Sequence, residues 1–460
     1  MTTTFTPAAQ RDMAHHLHPY TQLRQLEREG PLVIVRGDGV HVIDEHGKRY
    51  IEGMAGLWCA SLGFSETRLA DAAVRQMRTL PYYHAFSGKV PGPVTDLVEA
   101  LTRWSPIPNA RMLFANSGSE SNDTAFKLVR YYNNARGRPK KKKIIARVKG
   151  YHGVTVAAAS MSGIPMMHQH FDLPLPDVVR VGCPHHYQFA QPGETESAFV
   201  DRLARELEET IQREGSDTVA AFIAEPVMGA GGVVIPPTGY FDRVQAILKK
   251  HDILLIADEV ITGFGRLGKP FGSQVFGLKP DLVTVAKMLT SAYVPMSALY
   301  VSDAIYQVVA DASASVGSFG HGYTYSGHPL ACAVALETLR IYENDDIIGH
   351  VQRVAPHFQQ GLRRFEGHEI IGHVRSLGLI GAIEFAADPR QRKPFDANRG
   401  VGAYFVRRAQ EHGLITRSLA GDVIAFSPPL IISEAEIDAM FDRTERALAD
   451  TLAWVKSAPA

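Results

Sequence analysis

Three apolar runs in the middle of the chain set its architecture. Val219-Ala-Ala-Phe-Ile-Ala leads into Glu225-Pro226, Ile253-Leu-Leu-Ile-Ala ends on Asp258-Glu259, and Leu282-Val-Thr-Val-Ala ends on Lys287. Short runs of this kind read as buried strands, and they recur at about the 30 residues of a strand-plus-crossover unit. From about residue 61 to 335 such runs alternate with amphipathic stretches: a strand over Arg111–Ala115, a helix from Glu120 to about Ala135, a strand over Lys143–Arg147 and a helix over Glu196–Arg213. That alternation predicts an α/β fold on a parallel sheet. Residues 1–60 read as an N-terminal arm, with two short strands and a glycine turn between Val33 and Lys48. Residues 336–460 read as a smaller α+β domain with strands over Leu377–Phe385 and Asp422–Ser427, to which the arm contributes.

Parallel sheets place ligands outside the carboxyl ends of their strands. Three successive strands therefore deliver Glu225, Asp258 and Lys287 to one crevice. A lysine with two carboxylates there points to an amine doing covalent chemistry, with acids tuning its partner.

Composition narrows the choices without adding chemistry. The 460 residues carry 48 Lys and Arg against 48 Asp and Glu, so neither nucleic acid nor an anionic membrane is an expected partner. The basic run Lys140 to Lys143 follows Gly137-Arg-Pro139 and reads as a solvated loop. Cys59, Cys183 and Cys332 have neither paired nor metal-ligand spacing, so reduced thiols and no metal are expected. The N-terminal stretch lacks the layout of a secretion signal, and no apolar run approaches the roughly 18 residues of a membrane span. A soluble cytoplasmic protein is the expectation.

Further motifs flank the three strand ends. Asn116-Ser117-Gly118-Ser119-Glu120-Ser121 lies between a strand and a helix. Ser117 and Glu120 have capping-box spacing, and free amides beside small hydroxyls also make an anion site. In Gly150-Tyr151-His152-Gly153 the aromatic is either a packing residue or a plate for a planar heterocycle. Asp258 is either a strand-end turn residue or the counter-charge that keeps a pyridine nitrogen protonated. Lys287, after a β-branched strand, is either a snorkelling lysine or a dehydrated Schiff-base amine. Taken together, the anion site, Asp258 and Lys287 favour the second reading of each. Gly263-Phe-Gly265-Arg-Leu-Gly268 mimics a dinucleotide fingerprint, but Lys269-Pro270 follows where a helix must open, so it reads as a loop near the site.

The ordered set Ser117 to Asn122, Tyr151-His-Gly153, Glu225-Pro226, Asp258-Glu-Val260, Gly263 to Arg266, Lys287 and His321 to Pro329 resembles class III pyridoxal-phosphate aminotransferases over nearly the whole chain. Leu57-Trp58, Thr290-Ser-Ala-Tyr293 and Pro295 resemble the ω-amine:pyruvate subgroup, which includes β-alanine:pyruvate enzymes. The resemblance implies fold type I, with a mostly parallel seven-stranded sheet, and a homodimer or tetramer with shared sites. It implies pyridoxal 5'-phosphate held covalently by Lys287, with Asp258 at the pyridine nitrogen and Val260 and Tyr151 on the ring faces. Ser117, Gly118 and Ser119 would hold the phosphate, joined by Thr324 of the second subunit. His152 and Glu225 would support the cofactor. Trp58, Phe86, Tyr151 and Arg417 would meet the substrate, Arg417 as a mobile arginine for carboxylates. Met288, Ala292 and Ser297 stand where many class members have glycine, and Ile261 lacks a polar side chain some relatives carry.

The activity this implies is transfer of an amino group from a primary amine or ω-amino acid to a keto acid, with pyruvate the expected acceptor. An aminomutase or a decarboxylating transaminase would use the same fold. A cofactor-free Schiff-base lyase would have no use for the phosphate turn or Asp258, and a silent scaffold would have none for Lys287.

Overall fold

The computed structural model describes residues 5–457, so the ends of the expected arm and C-terminal domain, residues 1–4 and 458–460, lie outside it. Two short helices, Pro7–His15 and Leu23–Glu29, precede three strands: β1 (Ile34–Asp38), β2 (His41–Asp44) and β3 (Arg49–Glu52). The glycine turn joins β1 to β2, with Gly39 at φ 55°. β3 is additional to the two expected strands. Its Arg-Tyr-Ile-Glu sequence is too short to show a period, and it is held by pairing with β2 on one side.

The central sheet contains β4 (Arg111–Ala115), β5 (Lys143–Arg147), β6 (Val178–Val181), β7 (Val219–Ala224), β8 (Leu254–Asp258), β9 (Leu282–Val285) and β10 (Ser297–Val301). Their order is β4-β10-β9-β8-β7-β5-β6. β5 to β9 pair in parallel with one another, while β10 is antiparallel to both β4 and β9. The central strands β7 to β10 are buried at every residue. Helices covering both faces require continuous apolar strands of this kind. Ile144, Ala221, Ile223 and Ile256 face one core, and Ile145, Phe222, Ala224 and Leu255 face the other.

The remaining strands are β11 (Ile371–Leu377), β12 (Ile380–Phe385), β13 (Leu414–Ile415), β14 (Arg417–Leu419) and β15 (Val423–Phe426). β11-β12-β15-β14 form an antiparallel sheet, while β13 pairs in parallel with β3. The strand expected over Leu377–Phe385 is instead the second arm of a hairpin that turns at Gly378. There φ is 59° and a Cβ would come 2.5 Å from the Leu267 Cα, so a side chain is excluded. The basic run is not a solvated loop throughout. Lys141 is buried and its Nζ donates to the carbonyls of Ser216 and His251, and Lys143 in β5 pairs with Glu214 at 2.9 Å. Carbonyls at the ends of neighbouring elements attract these ammonium groups.

Arg375 on β11 ties the C-terminal sheet to the loop after β7. It pairs with Glu384 at 2.7 Å and donates from Nε to the carbonyls of Gly232 and Val233 at 2.9 and 3.0 Å. Burial pushes the Glu384 carboxyl up, but His185 and Arg375 overcome this and hold it at about 2. A folded pKa below the unfolded value of about 4.3 means the pair's stabilisation is present above that pH and is lost as pH falls towards 2. Acid titration of unfolding should therefore be flatter in Glu384→Gln than in wild type over this window. Arg375→Met, which strands a buried carboxylate, should cost about 3–5 kcal/mol and lower the melting temperature. Equal acid sensitivity of wild type and Glu384→Gln would remove the pair from the stability argument.

Candidate active site

The register of the central sheet brings the expected residues together. Ala224 of β7 pairs with Ala257 of β8, so Glu225 and Asp258 emerge level on neighbouring strands, which lie about 4.8 Å apart. Asp258 pairs with Thr284 of β9, three residues before Lys287. A parallel ladder thus sets the relative heights of all three side chains.

Asp258 is buried, and a buried carboxylate must find donors. His152 Nδ1 and Asn122 Nδ2 each donate to its Oδ2 at 2.8 Å, and the Val260 amide donates to Oδ1 at 3.2 Å. Burial alone would raise its pKa, yet these donors hold it below the ordinary carboxylate range. Glu225 accepts the amides of Tyr151 at 3.0 Å and Gly229 at 2.9 Å. Burial dominates there and raises its pKa, although His152 and Arg147 oppose the shift. His152 Nε2 is buried and makes no hydrogen bond to any described residue. Two level carboxylates therefore differ in character: Asp258 is held ionised, and Glu225 is biased towards protonation.

Lys287 opens the 3₁₀ turn Lys287–Thr290 with φ 51°, and Ser291 and Ala292 follow at 49° and 62°. Left-handed non-glycine residues cost on the order of 1 kcal/mol or more each. The turn is held by Ser291 Oγ accepting the Leu62 amide at 2.9 Å and by the Tyr342 hydroxyl donating to the Met288 carbonyl at 2.7 Å. Met288 and Ala292 are thus accommodated in a pinned turn rather than a loose one. The Lys287 Nζ makes no hydrogen bond to any described residue and lies 5.3 Å from the Trp58 ring centroid. Dehydration lowers its pKa, while Cys59, Asp258 and Glu225 pull the other way.

The helix Gly118–Ala135 starts at the sheet's edge of the crevice. Ser117 caps it, its Oγ accepting the Glu120 amide at 3.2 Å. The capping box is only half formed, because Glu120 takes the Asn116 amide at 2.6 Å instead of that of Ser117. Gly118 leaves little room for a larger side chain: a Cβ there would lie 3.1 Å from Val260 Cγ2, so the valine would have to give way. A Cβ on Gly153 would come 2.4 Å from Ser119 Oγ. Ser119 Oγ accepts the Val154 amide at 3.1 Å, which leaves its own hydroxyl proton free to donate. Ser297 donates to the Ser117 carbonyl at 2.7 Å, so the serine standing in place of glycine braces this turn.

Arg417 and Trp58 close the other side. Arg417 Cζ lies 5.8 Å from the ring centroids of both Trp58 and Tyr20, and no carboxylate pairs with it among the described residues. Tyr151 is beside them; burial and then contact with the Tyr20 hydroxyl push its phenol pKa up. Phe86 and Thr324 are elsewhere. Phe86 packs edge-on to His84, and a Cβ on Gly322 would lie 3.1 Å from its ring. The Thr324 carbonyl accepts the Tyr82 hydroxyl at 2.7 Å. The two residues share an exposed aromatic patch with Tyr82, Tyr83 and Tyr325. The glycine-rich segment Gly263–Gly268 is a turn anchored by buried Arg266, which donates to the carbonyls of Leu379 and Pro428.

Tyr20, Glu52, Cys59 and Asn122 also belong to this neighbourhood and carried no assigned role in the sequence reading. Asn122 had a signal: it is one helical turn beyond Gly118, so it faces the same crevice. The other three come from the arm, whose distance in sequence conceals their approach.

The residues present fit pyridoxal phosphate. They supply an amine without a hydrogen-bond partner, a carboxylate held ionised, and a side-chain-free helix start with an available hydroxyl. The family model for aminotransferase class-III matches residues 24–448. The chain is 51% identical to γ-aminobutyrate transaminase 1, mitochondrial, of Solanum lycopersicum over 436 residues, covering 95% of this chain and 84% of that protein. It is 50% identical to vanillin aminotransferase of Capsicum frutescens, covering 95% of both. The ω-transaminase of Pseudomonas jessenii in complex with PMP is 49% identical and superposes with a TM-score of 0.96 over 99% of this chain and 100% of that one. With a family match over residues 24–448 and a seven-stranded, mostly parallel sheet, this chain belongs to the class III, pyridoxal-phosphate-dependent aminotransferases.

Proposed function

We propose that the protein is an ω-transaminase that takes the amino group from a primary amine or ω-amino acid and delivers it to a keto acid, with pyruvate as acceptor. The observation that carries this reading is the unpaired Arg417 guanidinium over Trp58, whose ring also faces the Lys287 amine. One wall of the pocket thus offers a cation for carboxylates and a flat apolar surface for amines that lack one. The relatives' names, which include γ-aminobutyrate, vanillin and ω-transaminases, span both kinds of substrate.

When bound, pyridoxal phosphate supplies an electron sink for the carbon that loses its proton. Lys287 is the residue that would hold the cofactor and move the substrate proton; dehydration lowers its pKa and so favours the neutral amine. Asp258, kept ionised by His152 and Asn122, holds a proton on the pyridine nitrogen. Tyr151 and Val260 would contact the ring, and Glu225 would support the cofactor beside them. Ser117, Gly118 and Ser119 receive the phosphate at the positive end of an 18-residue helix. Asp258→Asn should keep the fold and cut turnover by about two orders of magnitude or more, measured in single half-reactions. Near-normal turnover would uncouple this carboxylate from the chemistry.

The exposed patch of Tyr82, Tyr83, Phe86 and Tyr325 supports a homodimer that brings Phe86 and Thr324 to the other subunit's site. Lys287→Ala and Thr324→Asp, each inactive alone, should regain partial activity when refolded together. A fully active monomer in sedimentation would refute shared sites.

Arg417 distinguishes the substrate reading from a generic aminotransferase. Arg417 is half-buried, and a guanidinium held against an apolar group loses solvation without gaining a partner, so withdrawal is favoured when the substrate has no carboxylate. Arg417→Ala should raise KM for pyruvate and β-alanine at least about tenfold and change KM for a simple aryl amine little, each measured in its own half-reaction. Equal losses for charged and uncharged substrates would assign Arg417 a structural role.

A further inference from the structure

Trp58 is presented by an unusual stretch of backbone. Ala55, Gly56 and Trp58 have φ of 46°, 71° and 60°. Gly56 combines φ 71° with ψ −92°, and Leu57 is at φ −130°, ψ 63°. A segment of this kind persists only where its surroundings over-determine it. The backbone bonds from Trp58 to Met54 and from Cys59 to Ala55, at 2.8 and 3.0 Å, close the turn. The Gly56 amide, at its most distorted point, is held by a side chain: it donates to Glu52 Oε2.

Glu52 is the last residue of β3 and only 4% exposed. It forms no ion pair with any described residue. The register places it opposite Ile415 of β13, two residues before Arg417. Trp58 and Arg417 are therefore launched from two paired strands, and Glu52 stands at the last rung of that pairing, on the Trp58 side. The catalytic reading leaves this buried carboxyl without a task.

We propose that Glu52 is a positioning residue for the substrate pocket: by accepting the Gly56 amide it holds the indole of Trp58 between Lys287 and Arg417, and so sets how well an aryl amine is bound. The inference rests on the reading of Trp58 as a pocket wall. Burial raises the Glu52 carboxyl pKa to about 8, so at neutral pH the group is neutral and glutamine reproduces both its shape and its acceptor. Alanine removes the acceptor and leaves the Gly56 amide unsatisfied, and aspartate withdraws the acceptor by one methylene.

The test uses the cofactor-loaded enzyme with 1-phenylethylamine and with the short ω-amino acid β-alanine as donors. The emission of Trp58, isolated by subtracting the Trp58→Phe spectrum, is read beside the kinetics. Glu52→Ala and Glu52→Asp should raise KM for 1-phenylethylamine about tenfold with kcat changed less than about twofold, and should make Trp58 more accessible to acrylamide quenching. Glu52→Gln should restore both. Aspartate guards against a collapse peculiar to alanine. In a Trp58→Phe background, Glu52→Ala should no longer affect KM. Wild-type quenching in both alanine and aspartate variants, a glutamine variant as impaired as alanine, or a KM effect that persists without Trp58 would each overturn the assignment. If wild type turns over neither donor, the ω-transaminase reading fails, while the quenching series still decides whether Glu52 positions Trp58.

Discussion

A carboxylate at the dry end of a parallel sheet cannot remain ionised without donors, and the pairing of Asp258 organises the site around it. Its two strong donors come from different elements: Asn122 from the helix after β4, and His152 from the turn after β5. Satisfying one buried charge therefore locks the phosphate turn, the Tyr151 turn and β8 into one arrangement. The contrast with Glu225 has the same origin. Glu225 receives backbone amides, burial dominates, and its pKa rises, whereas the imidazole and amide side chains keep Asp258 low.

Both walls of the crevice carry strained backbone. Lys287, Ser291 and Ala292 are left-handed on one side of the crevice, and Ala55, Gly56 and Trp58 on the other. In each case a residue outside the strained turn fixes it by a hydrogen bond. Leu62 and Tyr342 hold the lysine turn, and Glu52 holds the tryptophan turn. Such over-determination costs stability locally and yields a preorganised amine and a preorganised wall. Catalysis by positioned groups depends on that geometry being present before substrate arrives.

The amine, the acid and the anion site were legible in the sequence because each is a local pattern. Apolar runs with an ionisable residue at the end identify Glu225, Asp258 and Lys287. The strand-turn-helix spacing around Ser117 and Gly118 fits a helix cap as well as an anion site, and the cap is present. The apolar runs likewise foretold parallel α/β order, since a strand buried on both faces must be apolar throughout. The strand at Leu377–Phe385 was misjudged because a hairpin with a tight glycine turn reads as one continuous apolar run. The burial of Lys141 was missed because a lysine's location depends on which carbonyls lie within reach of its long stem.

What only the tertiary structure decided is the far wall of the pocket. Trp58 and Arg417 are 359 positions apart in the sequence. Nothing local in either segment indicates that they face each other. The two-rung parallel pairing of β3 with β13 puts them there, and so short a pairing leaves no periodic trace. Phe86 and Thr324 likewise met on an exposed patch rather than at Lys287, because each answers to its neighbours in space. By itself, the sequence determined which groups exist at the strand ends and that they share a crevice, because strand direction and side-chain period are local properties. Their protonation, and the identity of the residues opposite them, were decided by long-range packing, because desolvation and donor geometry exist only once distant segments have met.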